Sequence, residues 1–260
     1  MLHHVDHGGD GPAVVMLHAF PLDSGMFDRL VPLVTGAMRV VTVDLPGLGR
    51  SPVPTTVASM DQVAADVLEV MNTLAIESAT VLGISTGGYA ALQLAASAPQ
   101  RVAALVLGST TPYRIEPDVP SERLAVADEL ERTRSTTAVA DSADEGLGET
   151  AHREQPGLVD QVRRTIAAAD PSGVAWMARA IAARHDTAEV LRTFAGPVVL
   201  LFGAEDTATP PSRGEDMLSL RGDLPSSLAV LPSTGHLTPL ETPQEVAAVL
   251  DDLLRGSGTR

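Results

Sequence analysis

Short apolar segments alternate with amphipathic segments along most of this chain. The apolar segments are rich in β-branched residues and run continuously, a pattern typical of strands that are buried on both faces of a sheet. Strands separated by helices predict a mainly parallel sheet flanked by helices, so the predicted fold class is α/β. The predicted strands span residues 14–17, 40–43, 79–82, 102–107 and 198–202, with a weaker candidate at 228–231 and an antiparallel edge strand at 2–5.

Capping signals predict where several helices begin. Ser59 stands three residues before Gln62, a capping box that predicts a helix through about residue 74. Thr242 stands three residues before Glu245, and the intervening Pro243 is well suited to the first helical position of a final helix that ends near residue 254. A small-residue helix over 89–98 follows the strand at 79–82, and the tail at 256–260 is predicted to be disordered.

The alternation of strands and helices breaks between residues 111 and 192. This stretch has amphipathic helical segments at 123–132, 158–169 and 174–183 and no strand-like run. An all-helical insertion between two strands of a parallel sheet predicts a cap over the carboxyl edge of that sheet. The predicted domains are therefore an α/β core formed by residues 1–111 and 193–260, and a helical cap formed by residues 112–192.

The composition argues against several classes of binding partner. The chain of 260 residues carries 18 basic and 33 acidic residues, a formal charge of −15, which argues against nucleic acid and anionic membranes. The N-terminus has no signal-peptide pattern and no run approaches the ~20 apolar residues of a membrane span, so cytoplasmic location is predicted.

The composition also excludes several catalytic mechanisms. All 18 basic residues are arginines, so the chain has no lysine, and it has no cysteine either. These absences exclude a Schiff-base lysine, a P-loop lysine and a thiol nucleophile. Asp23 and Asp28 form no ligand cluster with a histidine, and the loop at 44–51 lacks the G-x-G-x-x-G spacing of a phosphate-binding loop. We therefore predict no metal and no cofactor, and a structural turn at 44–51.

The sequence Gly83-Ile84-Ser85-Thr86-Gly87 is the strongest catalytic signal in the chain. A G-x-S-x-G between a hydrophobic strand and a helix predicts a nucleophile elbow, a tight turn that holds the serine hydroxyl at the carboxyl end of the sheet. Ser85 is therefore the predicted nucleophile.

A serine hydroxyl needs a base and, behind it, a carboxylate that orients the base. His236 lies in the loop between the last strand and the last helix, where the chain order Ser, Asp, His places the base. Asp206 follows the strand at 198–202 and is the predicted acid, with its neighbour Glu205 as the alternative. The loop at 108–111, the other plausible place for the acid, contains none.

The oxyanion of the tetrahedral intermediate needs preorganised N–H donors. The backbone N–H of Thr86, which follows the nucleophile, is one predicted donor, and that of Phe20, in the loop after the strand at 14–17, is the second. His18 in the same loop is predicted to be a buried, hydrogen-bonded organiser of the loop.

In the order of these motifs, the chain resembles the α/β-hydrolase superfamily. The likeness covers nearly everything outside the predicted cap, through the segments 18–23, 44–51, 83–88, 203–210 and 235–243. Within the superfamily, Leu22-Asp23 and the segment 183–186 look like the branch of 3-oxoadipate enol-lactonases and small esterases. Serine at position 85 disfavours haloalkane dehalogenases and epoxide hydrolases, which use aspartate there.

Two residues depart from the pattern of the family. Ala19 stands where glycine is usual, and Thr86 stands where methionine or glutamine is frequent. The segment 85–88 is also similar to that of cofactor-free perhydrolases, which leaves the acyl acceptor open.

The resulting hypothesis is a serine hydrolase that cleaves a small-molecule ester or lactone through an acyl-enzyme. The alternatives are a carbon–carbon bond hydrolase or perhydrolase that uses the same triad, and a ligand-binding receptor or scaffold with vestigial hydrolysis. Trp176 and Met177 are candidate substrate-binding residues of the cap. A cap arginine facing Ser85 is expected if the substrate is a dicarboxylate lactone. The sequence does not indicate the oligomeric state.

Overall fold

The central element of the fold is one mixed sheet. The computed structural model describes residues 1–114 and 119–257, and within them seven strands pair in the order β1-β3-β2-β4-β5-β6-β7. All neighbouring pairs are parallel except β1 with β3, which is antiparallel. The strands are β1 (His4–Asp6), β2 (Ala13–Leu17), β3 (Arg39–Val43), β4 (Ala79–Ile84), β5 (Val102–Gly108), β6 (Val198–Gly203) and β7 (Ser226–Leu231).

These strands confirm the predicted α/β fold class. Each predicted strand is present, including the weaker last one and the antiparallel edge, with bounds that differ by one to two residues. Every residue of β4 and β6 is buried, as expected for inner strands covered on both faces.

Helices pack on the faces of the sheet and fill the connection between β5 and β6. Ser59 caps α2 by accepting a hydrogen bond from the Gln62 N–H at 3.1 Å, as the capping box predicted. The helices are α1 (Val31–Val34), α2 (Met60–Thr73), α3 (Thr86–Ser97), α4 (Val119–Thr133), α5 (Ser142–Glu145), α6 (Glu149–Glu154), α7 (Pro156–Ala168), α8 (Pro171–Ala182), α9 (Ala188–Thr193), α10 (Pro211–Arg221), α11 (Thr238–Glu241) and α12 (Pro243–Ser257).

Two helix boundaries differ from the prediction. Helix α3 begins at Thr86 and not at residue 89, because the elbow turns into the helix directly after Ser85. Residues 256 and 257 continue α12 and are not the start of a disordered tail, while residues 258–260 lie outside the described residues.

Helices α4 to α9 occupy the stretch predicted to be a cap. Helix α4 packs extensively against α8, and Arg179 of α8 forms ion pairs with Asp128 and Glu131 of α4. Residues 115–118 of the predicted cap lie outside the described residues. The division of the chain into a core and a cap remains a prediction.

Candidate active site

Ser85 lies in a strained turn between β4 and α3. Its φ of 52° is in the left-handed region, which a residue with a side chain rarely adopts. A Cβ atom at Gly83 would collide with the backbone of Gly87, and one at Gly87 would collide with the carbonyl of Leu17. The two glycines of the G-x-S-x-G motif are therefore needed for the turn to close.

The end of β5 braces this turn on both sides of the serine peptide. The Ser85 N–H donates to the carbonyl oxygen of Gly108 at 2.8 Å, and the hydroxyl of Thr110 donates to the carbonyl oxygen of Ser85, also at 2.8 Å. Thr110 belongs to none of the sequence motifs that predict the site. Its role depends on β5 lying beside β4 in the sheet, which sequence spacing does not show.

The predicted base and acid are hydrogen-bonded to each other. Nδ1 of His236 lies 2.9 Å from Oδ2 of Asp206, whose side chain is fully buried. The other carboxylate oxygen accepts a hydrogen bond from the Thr209 N–H at 2.8 Å. Because a carboxylate only accepts, Nδ1 carries the proton and Nε2 of the neutral imidazole is left as the basic nitrogen.

Glu205, the alternative acid, binds a different part of the molecule. Its two carboxylate oxygens accept hydrogen bonds from the N–H and the hydroxyl of Thr150 in α6, at 2.8 and 2.6 Å. Both bonds lower the pKa of Glu205, and the bond from the hydroxyl has the larger effect. Glu205 thus anchors α6 and is not bonded to the imidazole of His236.

A second buried carboxylate, Glu241, holds the loop that carries His236. Its oxygens accept hydrogen bonds from the N–H groups of Gly235 at 2.8 Å and Leu237 at 3.1 Å, the residues on either side of the histidine. One of the same oxygens also accepts from the Gly148 N–H at 2.9 Å. Burial raises the pKa of Glu241, and the three N–H groups oppose that rise. The sequence showed Glu241 only as part of a family motif.

The residues of the predicted oxyanion hole lie beside the nucleophile. Within the part of the chain that the structure describes, the N–H groups of Phe20 and Thr86 have no hydrogen-bond acceptor. The loop that carries Phe20 is held by His18, whose Nδ1 lies 2.9 Å from the Ala19 oxygen and whose Nε2 accepts from the Leu45 N–H at 2.9 Å. Burial lowers the pKa of His18, so this histidine is held neutral.

Ser85 and His236 line a common cavity of about 110 Å³. Phe20 and Thr86 also line it, and α4, α5, α7 and α8 contribute further lining residues. The predicted substrate-binding residues of α8 are placed elsewhere. Trp176 donates from its indole nitrogen to the Thr56 carbonyl at 2.9 Å, and Met177 is fully buried. Both side chains belong to the packed interior instead of the cavity wall.

The described residues contain neither a metal site nor a membrane-spanning helix. Within residues 1–114 and 119–257, no group of three or more His, Asp or Glu side chains is arranged to hold a metal ion. None of the described helices combines the length and the apolarity that crossing a membrane requires.

Comparison with known proteins identifies the family. The family model described as "alpha/beta hydrolase fold" matches residues 12–243, so this chain belongs to the α/β-hydrolase family, as its motifs indicated. The chain is 29% identical to the pimeloyl-[acyl-carrier protein] methyl ester esterase of Nitrosomonas europaea, over 96% of this chain and 98% of that protein.

Solved structures agree with this assignment. The malate-bound thermophilic esterase from Thermogutta terrifontis is 31% identical, with a TM-score of 0.93 over 98% of this chain and 93% of that one. The enol-lactonase from Burkholderia xenovorans LB400 shares the fold at 24% identity, with a TM-score of 0.85 over 98% of this chain and 96% of that one.

Proposed function

We propose that this protein is a serine hydrolase that cleaves a carboxylic ester or lactone of a small molecule. The observation that carries the proposal is the shared cavity, into which a serine on a strained elbow and a histidine paired with a buried aspartate both open. Relatives that cover nearly the whole chain and are named as esterases support the same class of reaction.

Acylation begins when Oγ of Ser85 attacks the carbonyl carbon while Nε2 of His236 accepts the hydroxyl proton. The carbonyl oxygen becomes an oxyanion, which the N–H groups of Phe20 and Thr86 stabilise. Asp206 stabilises the imidazolium through Nδ1. The imidazolium then donates its proton to the leaving oxygen, the carbon–oxygen bond breaks, and the acyl group stays on Ser85.

Deacylation repeats these steps with water as the nucleophile. His236 accepts a proton from the water molecule that attacks the acyl carbon, then returns it to Oγ of Ser85 as the acid leaves. No metal or cofactor takes part in this scheme. Residues 112–192 would act as a cap that shapes the cavity and selects the substrate, and the cytoplasm remains the predicted location.

The test is turnover of p-nitrophenyl acetate and butyrate by the unaltered protein and by Ser85→Ala. We expect hydrolysis that falls at least ~10³-fold in the variant, because removal of a triad member leaves only the oxyanion hole and binding. Ser97→Ala, an exposed serine at the end of the same helix α3, is the matched control and should keep full activity. Comparable turnover in folded Ser85→Ala would refute the proposal.

A further inference from the structure

One arginine of the segment between β5 and β6 opens into the same cavity as the nucleophile. Arg123 of α4 lines the cavity together with Ser85 and His236. The central carbon of its guanidinium lies 5.6 Å from the centroid of the Phe20 ring, within reach of a cation–π interaction. The guanidinium is thus held against the residue whose N–H is proposed to bind the oxyanion.

This guanidinium has no carboxylate partner among the described residues. The chain has almost twice as many acidic as basic residues, and several arginines of the same segment form ion pairs with them. Within residues 1–114 and 119–257, Arg123 forms no such pair, although its side chain is half-buried. A partly desolvated charge that lacks a counter-ion favours the arrival of an anion.

A second arginine, Arg184, places positive charge behind the lining of the cavity. The guanidinium carbon of Arg184 lies 4.2 Å from the centroid of the Tyr89 ring, and Tyr89 also lines the cavity. Arg184 donates to the backbone oxygens of Tyr113 and Ile181 but to no carboxylate of the described residues. Its pKa is lowered, first by burial, and the charge of Arg123 contributes.

One acidic side chain, Glu145, also lines the cavity. Glu145 is exposed to solvent and forms no ion pair with Arg123. Solvent therefore screens the charge of the exposed Glu145, whereas the half-buried guanidinium of Arg123 has no carboxylate partner among the described residues. Of these two charged side chains in the lining, Arg123 is the less exposed.

We propose that Arg123 binds a carboxylate carried by the substrate, so that the substrate is a half-ester or lactone with a second, free carboxylate. A carboxylate matches the fork of the guanidinium. This inference rests on the proposed ester hydrolysis and names its substrate class.

The test compares methyl hydrogen succinate with methyl butyrate, which has a methyl group in place of the free carboxylate. Methanol release gives kcat/KM for each ester, and their ratio measures recognition of the anion. We expect the unaltered protein to favour the half-ester by at least ~10-fold, and Arg123→Gln to lower the ratio by ~10- to 100-fold, the effect of one charge-assisted hydrogen bond. Arg132→Gln removes an exposed arginine of the same helix and should leave the ratio unchanged.

Two measurements keep the test valid if Arg123→Gln does not fold. Arg123→Lys retains the positive charge but loses the planar, bidentate guanidinium. Its kcat/KM ratio should therefore fall between those of the unaltered protein and of Arg123→Gln. The ratio of the unaltered protein should also decrease as KCl is raised, since salt screens a partly exposed ion pair.

The inference is overturned if the unaltered protein does not favour the half-ester, or if Arg123→Gln folds and keeps the full ratio. Faster hydrolysis of methyl 4-aminobutyrate than of methyl butyrate would assign selection to Glu145 and overturn it as well. If methyl butyrate and methyl hydrogen succinate are hydrolysed with equal kcat/KM, only this inference is refuted. Absence of hydrolysis of every ester, together with absence of labelling by a fluorophosphonate, refutes the proposed function and this inference with it.

Discussion

Replacing Glu241 by glutamine should weaken both the fold and the catalytic step. In the native loop, one carboxylate oxygen accepts from Gly148 and Gly235 and the other accepts from Leu237. A glutamine has one oxygen, and its NH₂ group can only donate. Whichever way the amide is turned, at least one buried N–H loses its acceptor and faces a donor.

The expected magnitude follows from those bonds. A buried N–H without an acceptor costs ~1–3 kcal/mol, and removal of the buried charge offsets part of this. At ~2–4 °C per kcal/mol for a protein of this size, we expect the melting temperature to fall by ~2–10 °C. Because the loop carries His236, we expect kcat to fall by ~10- to 100-fold with little change in KM, as misplacement of a catalytic group does.

Thermal unfolding and p-nitrophenyl butyrate kinetics measure both effects. Glu215→Gln makes the same chemical change at an exposed position of α10 and should leave the melting temperature and kcat unaltered. The reasoning is refuted if Glu241→Gln melts and turns over like the unaltered protein. A loss of stability with unchanged kcat would show that Glu241 supports the fold without positioning His236.

Three further predictions concern groups around the nucleophile. Asp206→Asn should lower kcat by ~10⁴-fold, because the amide stabilises the wrong tautomer of His236. Thr110→Val should reduce the free energy of unfolding in urea by ~0.5–1.5 kcal/mol, because it removes the hydrogen bond to the Ser85 carbonyl. The pKa of His18 is lower in the folded protein than in the unfolded chain, so on acidification the unfolded chain takes up a proton at His18 before the folded protein does. The free energy of unfolding should therefore fall as the pH drops below ~6.5. His18→Gln should flatten that dependence.

Each of these has a contradicting result. An Asp206→Asn protein with kcat near that of the unaltered protein would remove the aspartate from the triad, and Glu205→Gln serves as the neighbouring control. Unchanged urea unfolding of Thr110→Val would mean that the brace on Ser85 contributes nothing to stability. Equal pH slopes of unfolding free energy between pH 6.5 and 5 with and without His18 would show that other groups cause the acid sensitivity.

Much of the fold could be predicted from the sequence because its signals are local. A continuous β-branched run needs two covered faces, and a capping box marks a helix start, whatever the rest of the chain does. The predicted start of α3 is too late because the chain enters the helix directly from the strained conformation of Ser85, and helix propensity carries no information about backbone strain.

The candidate site was predictable where chain order alone determines position. A serine after β4 and a histidine after β7 must lie at the same edge of a parallel sheet, so Ser85 and His236 could be paired in advance. Thr110, Glu241 and Arg123 could not be selected, because their roles depend on strand order and on which way each side chain points. Trp176 shows the same limit, since an apolar helix face does not reveal which neighbour it covers.

The most direct test of the central claim is to locate covalent labelling by a fluorophosphonate. Mass spectrometry of a digest should find one adduct per chain, on the peptide that contains Ser85. The adduct should be absent after denaturation and in Ser85→Ala, and should form far more slowly in His236→Gln, because the histidine activates the hydroxyl. Labelling of another residue, or no labelling of the folded protein, would contradict the account of Ser85 as an activated nucleophile.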